Sequence, residues 1–513
     1  MSPPRSRTTF LIGAASNWLA FAATLAVAFV LTPYLIDRLG KPRYDVWCVV
    51  ESVLAYFTLL DMGVAACLVR YVAKHNAAQN RDGLNRMASA CLALFAAAGG
   101  VALAVGVPVL FGMAGPLTAK ADGDPGVLPF MLLMLANLAV TLPLSVFPSI
   151  LDGLERYTAK SVVRLAALAA SVTGMVAVVN DGGGLWPLAI VYTAVNLTEH
   201  AVMAGLCARF LPGLRFRPSL VDRATLRDVR TYSVDAFLAM LAGRVTVQTG
   251  AILVGLLLPA GQVTFFATAA RLIEYAKSLL RTVTTTLTPN VAALEARGDH
   301  PAIARLFLTA TRWVLYAVLP VNVGLVLFGG PFLRRWVGDE FVTGSYPALV
   351  VLSATLTLGV AQSAASRILY GLGRLRWFAR AALAESAVNV LLTLALIKPF
   401  GVTGVATAVA VPNVIFCVLV IGLTCRELRV SATEYVVAWV WPVGLTLIPA
   451  AVWLTISPPA ADYPSITAAV LAGLVPYVVL VGGAELVRRS SAWSAAGRPP
   501  APVRPPFSAA RSR

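Results

Sequence analysis

The chain has 513 residues, of which 58% are hydrophobic and only 13% are charged, and its mean hydropathy is +0.78. This composition predicts an all-α polytopic membrane protein and argues against a soluble domain of any size. The formal net charge of +17 is then expected on loops that face an anionic leaflet, which makes nucleic-acid binding an unnecessary explanation.

Apolar runs of about 20 residues, separated by polar interruptions, predict about 14 transmembrane helices. They begin near residues 10, 44, 87, 127, 160, 185, 231, 263, 311, 345, 378, 401, 435 and 465. The first run, from Phe10 to Ile36, is too long for the apolar core of a signal peptide and is predicted to be a retained helix. An even number of spans places both termini on one side of the membrane. Most of the 41 Lys and Arg residues lie in the loops of that side, so the positive-inside rule predicts cytoplasmic termini.

A weak internal repeat divides the chain. The segments 150–156 and 368–374 agree at five of seven positions with an offset of 218. Two parallel six-helix lobes followed by two extra C-terminal helices are therefore expected, as in transporters that rock two lobes about a site at the midplane. The predicted boundaries are a first lobe at 1–208, a basic connector at 209–230, a second lobe at 231–430, two further transmembrane helices at 431–488 and a disordered cytoplasmic tail at 489–513.

Two acids stand out on the second predicted helix, Glu51 and Asp61. Nothing basic in the first lobe is expected at the same depth. A carboxyl group buried in hydrocarbon titrates near neutral pH, so Glu51 is a candidate for binding a coupling ion, a proton or sodium. Asp61 closes the helix and is better explained as a structural residue that accepts hydrogen bonds from nearby backbone donors.

Three cationic residues, Arg271, Lys277 and Arg281, lie in the eighth predicted helix, which extends from Val263 to Leu294. A charge near the centre of a bilayer costs about 2.5–3.5 kcal/mol, so such residues usually face a water-filled cavity and handle a substrate. At 100° per residue they share one stripe with Glu274, a second candidate for a coupling-ion site. This net-positive stripe predicts an anionic cargo. The alternative is that Arg271 and Lys277 form local ion pairs with Glu274 and only stabilise the bundle.

The seventh predicted helix adds Arg244 and Asp235, nine residues apart and on opposite faces of a straight helix. Arg244 has Gln248 one turn further on, and this polar pair makes Arg244 the candidate that faces the cavity. Several other chemistries have no support. The six cysteines and three histidines show no metal-ligand spacing, no cofactor is expected, and no phosphate-binding glycine loop indicates ATP hydrolysis.

The chain also resembles the bacterial polysaccharide biosynthesis proteins, the lipid-linked oligosaccharide flippases of O-antigen translocase type in the MATE-like MOP superfamily. The resemblance rests on short motifs spread in order along the chain. They include Tyr34-Leu35, Leu39-Gly40, Asp61-Met62-Gly63-Val64, Ala270-Arg271-Leu272, Trp336-Val337-Gly338 and Gly401-Val402-Thr403-Gly404. Where the family usually shows Tyr-Gly-Leu-Trp, this chain has Tyr44-Asp45-Val46-Trp47.

The resemblance implies a non-enzymatic flippase that moves an undecaprenyl-pyrophosphate-linked oligosaccharide across the bacterial cytoplasmic membrane by alternating access. The expected partners are that lipid-linked glycan, anionic membrane lipids and a polysaccharide polymerase machinery. The residues agree with this cargo, since a diphosphate pairs well with Arg and Lys. Two alternatives remain open. A MATE-type exporter of organic cations has the same plan but favours acidic cavity residues, and a membrane glycan ligase or polymerase needs a catalytic outer loop.

Overall fold

The computed structural model describes residues 7–61, 63–217, 234–281, 284, 287–372, 375–456 and 463–495. Across these ranges the chain is helical with short turns, and they contain no β-strand. The prediction of an all-α polytopic membrane protein is confirmed. Part of the predicted connector (218–230) and most of the predicted tail (496–513) lie outside the described residues, whereas residues 489–495 continue the last helix.

The helices of the first half form what we call the N-terminal bundle. They are α1 (Arg7–Leu39), α2 (Lys41–Phe57), α3 (Val64–Ala77), α4 (Arg81–Lys120), α5 (Val127–Leu144), α6 (Val146–Gly153), α7 (Tyr157–Asn180) and α8 (Leu185–Phe210). A single 3-10 turn, Thr58–Asp61, separates α2 from α3. Within this bundle α4 packs on α5, α1 on α7, and α8 on both α5 and α7.

The next helices form the C-terminal bundle. They are α9 (Val234–Leu257), α10 (Gln262–Arg281), α11 (Leu287–Glu295), α12 (His300–Trp336), α13 (Glu340–Gly344), α14 (Tyr346–Gly371) and α15 (Leu375–Glu427). Two more helices follow, α16 (Ala432–Ile456) and α17 (Tyr463–Ala495). In the C-terminal bundle α15 packs on α9 and α14, and α16 lies against α12.

The long helix α15 contains a break at Gly401, whose φ of 54° and ψ of −135° are open to glycine but not to residues with a side chain. This break lies where the twelfth helix is predicted to begin. In the described part of the chain, nine helices are long and apolar enough to cross a membrane, or ten if the bent α2–α3 pair counts as one span. The chain is therefore a multi-pass membrane protein, and its division into 14 spans stays a prediction.

The two repeat segments occupy matching positions in the two bundles. A Cβ atom on Gly153 would lie 2.7 Å from Val72 of α3, and a Cβ atom on Gly371 would lie 2.7 Å from Val291 of α11. In both bundles the repeat glycine thus lies at the end of a helix and packs against a short helix, α3 or α11. The separation between Val72 and Val291 is close to the offset of the sequence repeat, so this shared packing supports the interpretation of two copies of one unit.

Substitution of either repeat glycine by alanine is expected to destabilise the protein by about 1–3 kcal/mol, because the added methyl group overlaps a valine that has no room to move. Gly112→Ala on α4 is the control, since an added Cβ atom there meets nothing within 4 Å. Thermal unfolding of the purified protein measures the effect. Equal melting temperatures for Gly153→Ala, Gly371→Ala and Gly112→Ala would contradict the close packing of both glycines.

Candidate functional site

Helix α2 supplies the surface at which the N-terminal bundle meets the C-terminal bundle. The helix starts just after Gly40, whose positive φ of 77° reverses the chain, and Pro42 occupies its first turn, where no hydrogen-bonding N–H is needed. Positions 41, 45, 49, 52 and 56 then repeat on one face of the helix. That face packs on α9 and α10, so its side chains can join the two bundles.

Asp45 is the most buried acid on this face, with 5% of its surface exposed. Its carboxylate accepts hydrogen bonds from the backbone N–H of Gly261 at 2.6 Å and of Thr264 at 2.7 Å, and from the Thr264 hydroxyl at 2.5 Å. These donors lie at the N-terminus of α10, where orphan N–H groups and the helix dipole attract a negative charge. Asp45 therefore caps a helix of the other bundle and ties the two bundles together.

Further links between the bundles surround this cap. The Lys41 ammonium pairs with Glu340 of α13, and the Lys120 ammonium at the end of α4 donates to the Gly255 carbonyl at 2.6 Å. The Trp336 indole N–H donates to the Phe29 carbonyl at 2.9 Å. Hydrogen bonds and an ion pair join the two bundles in this region. We call the region the closed end and define it by Lys41, Asp45, Lys120, Trp336 and Glu340.

Arg271 of α10 lies next to the closed end and reaches across to α2. Its guanidinium donates to the Glu51 carboxylate at 2.7 Å and to the Tyr44 hydroxyl, and it contacts the Cys48 sulfur at 3.8 Å. The Arg271 side chain keeps 26% of its surface exposed and Glu51 keeps 59%. A partly exposed cation and anion thus join the two bundles, and a guanidinium can also form paired hydrogen bonds with phosphate oxygens.

Two expectations for Glu51 were wrong. A buried carboxyl without a basic partner was expected, but the side chain is largely exposed and pairs with Arg271. The partner comes from the C-terminal bundle, so it could not be found by searching the first lobe for a basic residue at the same depth. The local pairing considered for Arg271 does not describe it either, since its hydrogen bonds run to α2. A role for Glu51 in ion coupling stays a prediction.

Lys277 lies two turns further along α10 and belongs to a different cluster. Its ammonium donates to the Thr355 hydroxyl of α14 at 3.0 Å, and it lies within electrostatic range of Glu385 on α15. The predicted stripe is therefore divided. Arg271 faces the N-terminal bundle, whereas Lys277 is held among the helices of the C-terminal bundle.

Glu385 is the centre of this second cluster. It is 9% exposed and accepts hydrogen bonds from the Thr246 hydroxyl of α9 at 2.9 Å and from the Asn413 amide at 3.4 Å. One turn along α15, Asn389 is fully buried and its Oδ1 atom has no hydrogen-bond partner. The cluster places an acid and several neutral oxygen atoms between three helical segments, which is an arrangement suited to hold a proton.

Glu385→Ala is expected to destabilise the protein by about 2–4 kcal/mol, because Thr246 and Asn413 lose their acceptor and a cavity forms. Glu385→Gln should cost about 1 kcal/mol or less, since its amide oxygen still accepts from Thr246. Thermal unfolding of the two variants beside Glu427→Ala, a replacement of an exposed acid near the end of the same helix, provides the measurement. Equal losses for the two Glu385 variants would contradict a hydrogen-bonding role.

The roles predicted for Arg244, Glu274 and Arg281 stay predictions. Arg244 is half-buried on α9, two residues before Thr246 and thus on a different face from the one that reaches Glu385. Glu274 is half-buried between Arg271 and Lys277. Arg281 ends α10, but its side chain lies outside the described ones, as does that of Asp235.

The arrangement of helices is that of a known class of transporter. The structure matches lipid II flippase MurJ in an inward closed conformation with a TM-score of 0.72 at 12% identity, covering 93% of this chain and all of that one. It matches a multidrug resistance MATE family transporter of the MOP superfamily in an inward-facing conformation with a TM-score of 0.67 at 13% identity, covering 79% of this chain and 94% of that one. The chain thus has the fold of a MOP superfamily transporter.

The sequence narrows this class. Residues 11–295, more than half of the chain, match the model of the polysaccharide biosynthesis protein family, and the chain belongs to that family. It is also 23% identical over 223 residues to the probable low-salt glycan biosynthesis flippase Agl15 of Haloferax volcanii. That match covers 43% of this chain and spans about half the length of the relative. The family resemblance found from the motifs is confirmed.

Proposed function

We propose that the protein is a flippase that carries an undecaprenyl-pyrophosphate-linked oligosaccharide across the cytoplasmic membrane for the biosynthesis of a surface polysaccharide. The observation that carries this proposal is the partly exposed Arg271 guanidinium between the two bundles. A diphosphate is the most concentrated negative charge on a lipid-linked glycan, and Arg is the side chain that pairs with phosphate oxygens in a fork. The family and the half-length relative favour a glycan cargo over other anions.

The proposed mechanism is alternating access between the bundles. Hydrogen bonds and ion pairs join them at the closed end, which the positive-inside rule places away from the cytoplasm. With cytoplasmic termini in a bacterial inner membrane, this conformation would receive cargo from the inner leaflet. Outward opening would break the Asp45 cap and the Lys41–Glu340 pair, and it would also separate Arg271 from Glu51. Diphosphate bound to Arg271 would replace the carboxylate as its partner and so favour that separation.

Glu51, the acid that pairs with Arg271, supports a second function. Glu51 is more exposed than Arg271, and an exposed carboxylate between the bundles is suited to an organic cation. A MATE-type exporter coupled to an ion would use Glu51 and the Glu385 cluster, with Glu274 as a further coupling acid. The family membership favours the flippase.

Gene deletion in the host, with the wild-type gene returned as the control, tests the proposal. Lipid mass spectrometry would measure the pool of undecaprenyl-pyrophosphate-linked oligosaccharide, and surface polymer would be assayed in the same cells. A build-up of completed repeat units with loss of surface polymer is expected, and a polymerase acting after the flippase would then lack its substrate. An unchanged lipid pool together with increased sensitivity to organic cations would support the exporter and overturn the flippase.

A further inference from the structure

A cavity of about 720 Å³ lies between α12 and α16, and it shares no residue with the Arg271 cluster. Two arginines of α12, Arg305 and Arg312, line it. They are seven residues apart, so they stand two turns from each other on the same face of the helix. Arg305 is exposed and Arg312 is half-buried, with its guanidinium donating to the Thr309 hydroxyl at 3.3 Å. The cavity therefore has a cationic wall.

The opposite wall is the first two turns of α16. Ser431 and Glu434 form a reciprocal cap there, in which the Glu434 carboxylate accepts from the Ser431 N–H at 2.8 Å and from its hydroxyl at 2.9 Å. Glu434 is the acid in the lining, and its charge opposes an anion. The lining thus contains two arginines and one glutamate, and the glutamate already caps a helix. The net charge of the cavity lining is therefore positive.

The remaining lining consists of Thr309, Thr433 and the apolar residues Leu308, Val437 and Ala438. Both helices are long and apolar enough to cross the membrane, and the cavity involves the first few turns of each. We therefore expect its polar part at the depth of lipid headgroups, with the apolar residues available to an acyl chain. Basic pockets between transmembrane helices on the cytoplasmic side are suited to anionic headgroups.

We propose that this cavity binds an anionic phospholipid of the surrounding bilayer, with the phosphate on Arg305 and Arg312 and an acyl chain along Leu308 and Val437. The charge of the cationic wall selects against zwitterionic lipids, whose ammonium group would approach the same guanidinium groups. A bound lipid would join α16, the first of the two helices that follow the C-terminal bundle, to α12 of that bundle. This proposal is independent of the cargo, since the cavity lies apart from the Arg271 cluster.

Native mass spectrometry of the purified full chain tests the proposal. Dioleoyl-phosphatidylglycerol and dioleoyl-phosphatidylcholine, which differ only in the headgroup, would be titrated in separate experiments. A retained phosphatidylglycerol adduct is expected. Its affinity should fall about fivefold in Arg305→Ala and about thirtyfold in the double variant Arg305→Ala/Arg312→Ala, on the basis of the usual contribution of one arginine near an anionic headgroup.

Controls separate this site from general attraction to a basic protein. Arg380→Ala removes an exposed arginine of α15 and should leave the affinity unchanged. Arg305→Lys/Arg312→Lys retains both charges and should lose less than the alanine pair, and it also shows whether a substitution of the half-buried Arg312 is tolerated. Equal affinities for the two lipids, or for the wild type and Arg305→Ala, would overturn the proposal. Displacement of phosphatidylglycerol by a tenfold lower concentration of undecaprenyl phosphate would also overturn it, because the cavity would then belong to the cargo lipid.

Discussion

Arg271→Ala is expected to abolish surface glycan while the protein still inserts into the membrane. The partly exposed Arg271 side chain joins the two bundles, and in the proposed function its loss leaves the diphosphate without its strongest partner. A hydrogen bond to a charged group contributes about 1.5–3 kcal/mol, which corresponds to a loss of at least about tenfold in transport. Arg271→Lys should recover part of the activity, because an ammonium retains the charge but not the fork.

Surface polymer and the lipid-linked precursor would be measured in the deletion host carrying each variant, with protein amounts compared by immunoblot. Arg380→Ala is the matched control, since it also removes one arginine but from an exposed position beside the Trp377 ring. Normal polymer in cells that contain only Arg271→Ala would contradict the assignment of Arg271 to the cargo. Arg281→Ala carries the same expectation from the sequence and belongs in the same series.

The pairing with Glu51 provides a sharper test of what Arg271 does. If Arg271 acted only by fastening the bundles through Glu51, then Arg271→Ala, Glu51→Gln and the double variant would lose the same activity. A role in binding the cargo predicts that Glu51→Gln loses much less than Arg271→Ala, because the guanidinium still bonds to Tyr44 and is available to phosphate. Non-additivity between two residues in contact is measured directly by such a cycle.

The sequence predicted the membrane class and the all-α fold, because these depend on composition and apolar periodicity. It also singled out Arg271 as a charge within an apolar helix, and the role of Arg271 stays a prediction. It did not predict the partners of Arg271 and Asp45. Glu51 is 220 residues from Arg271, and Thr264 is 219 residues from Asp45. No local spacing rule connects positions so far apart, so the residues of one helix did not indicate these partners in the other bundle.

The sequence nevertheless contained an indication of both contacts, Glu51–Arg271 and Asp45–Thr264. The two separations are close to the offset of 218 between the repeat segments, so each pair joins nearly equivalent positions of the two copies. Equivalent helices of two parallel repeats are expected to meet near the axis that relates them, and α2 and α10 are in contact. The departure at Asp45, where the family usually has glycine, was a second signal. An acid in place of glycine next to a turn suggests a new acceptor for backbone N–H groups.

Asp45→Ala is expected to open the closed end. The carboxylate holds three short hydrogen bonds across the bundles, and hydrogen bonds to a charged group contribute about 1.5–3 kcal/mol. Loss of about 2 kcal/mol from one of two conformations changes their ratio about thirtyfold. Cys48 reports the change without any added label site, because it is buried one turn from Asp45 and beside Arg271. Its modification by a water-soluble maleimide should accelerate by a similar factor.

The other five cysteines, all buried away from this interface, provide the internal standard when modification is resolved by peptide mass spectrometry. They are Cys67, Cys91, Cys207, Cys417 and Cys425. Selective reaction of Cys48 in Asp45→Ala would show separation of the bundles, whereas general unfolding would expose all six. Asp181→Ala removes an exposed carboxylate at the end of α7 and should leave Cys48 protected. If Cys48 stays equally protected in Asp45→Ala, the Lys41–Glu340 and Lys120 links suffice to keep the bundles together, and the cap of α10 does not control opening.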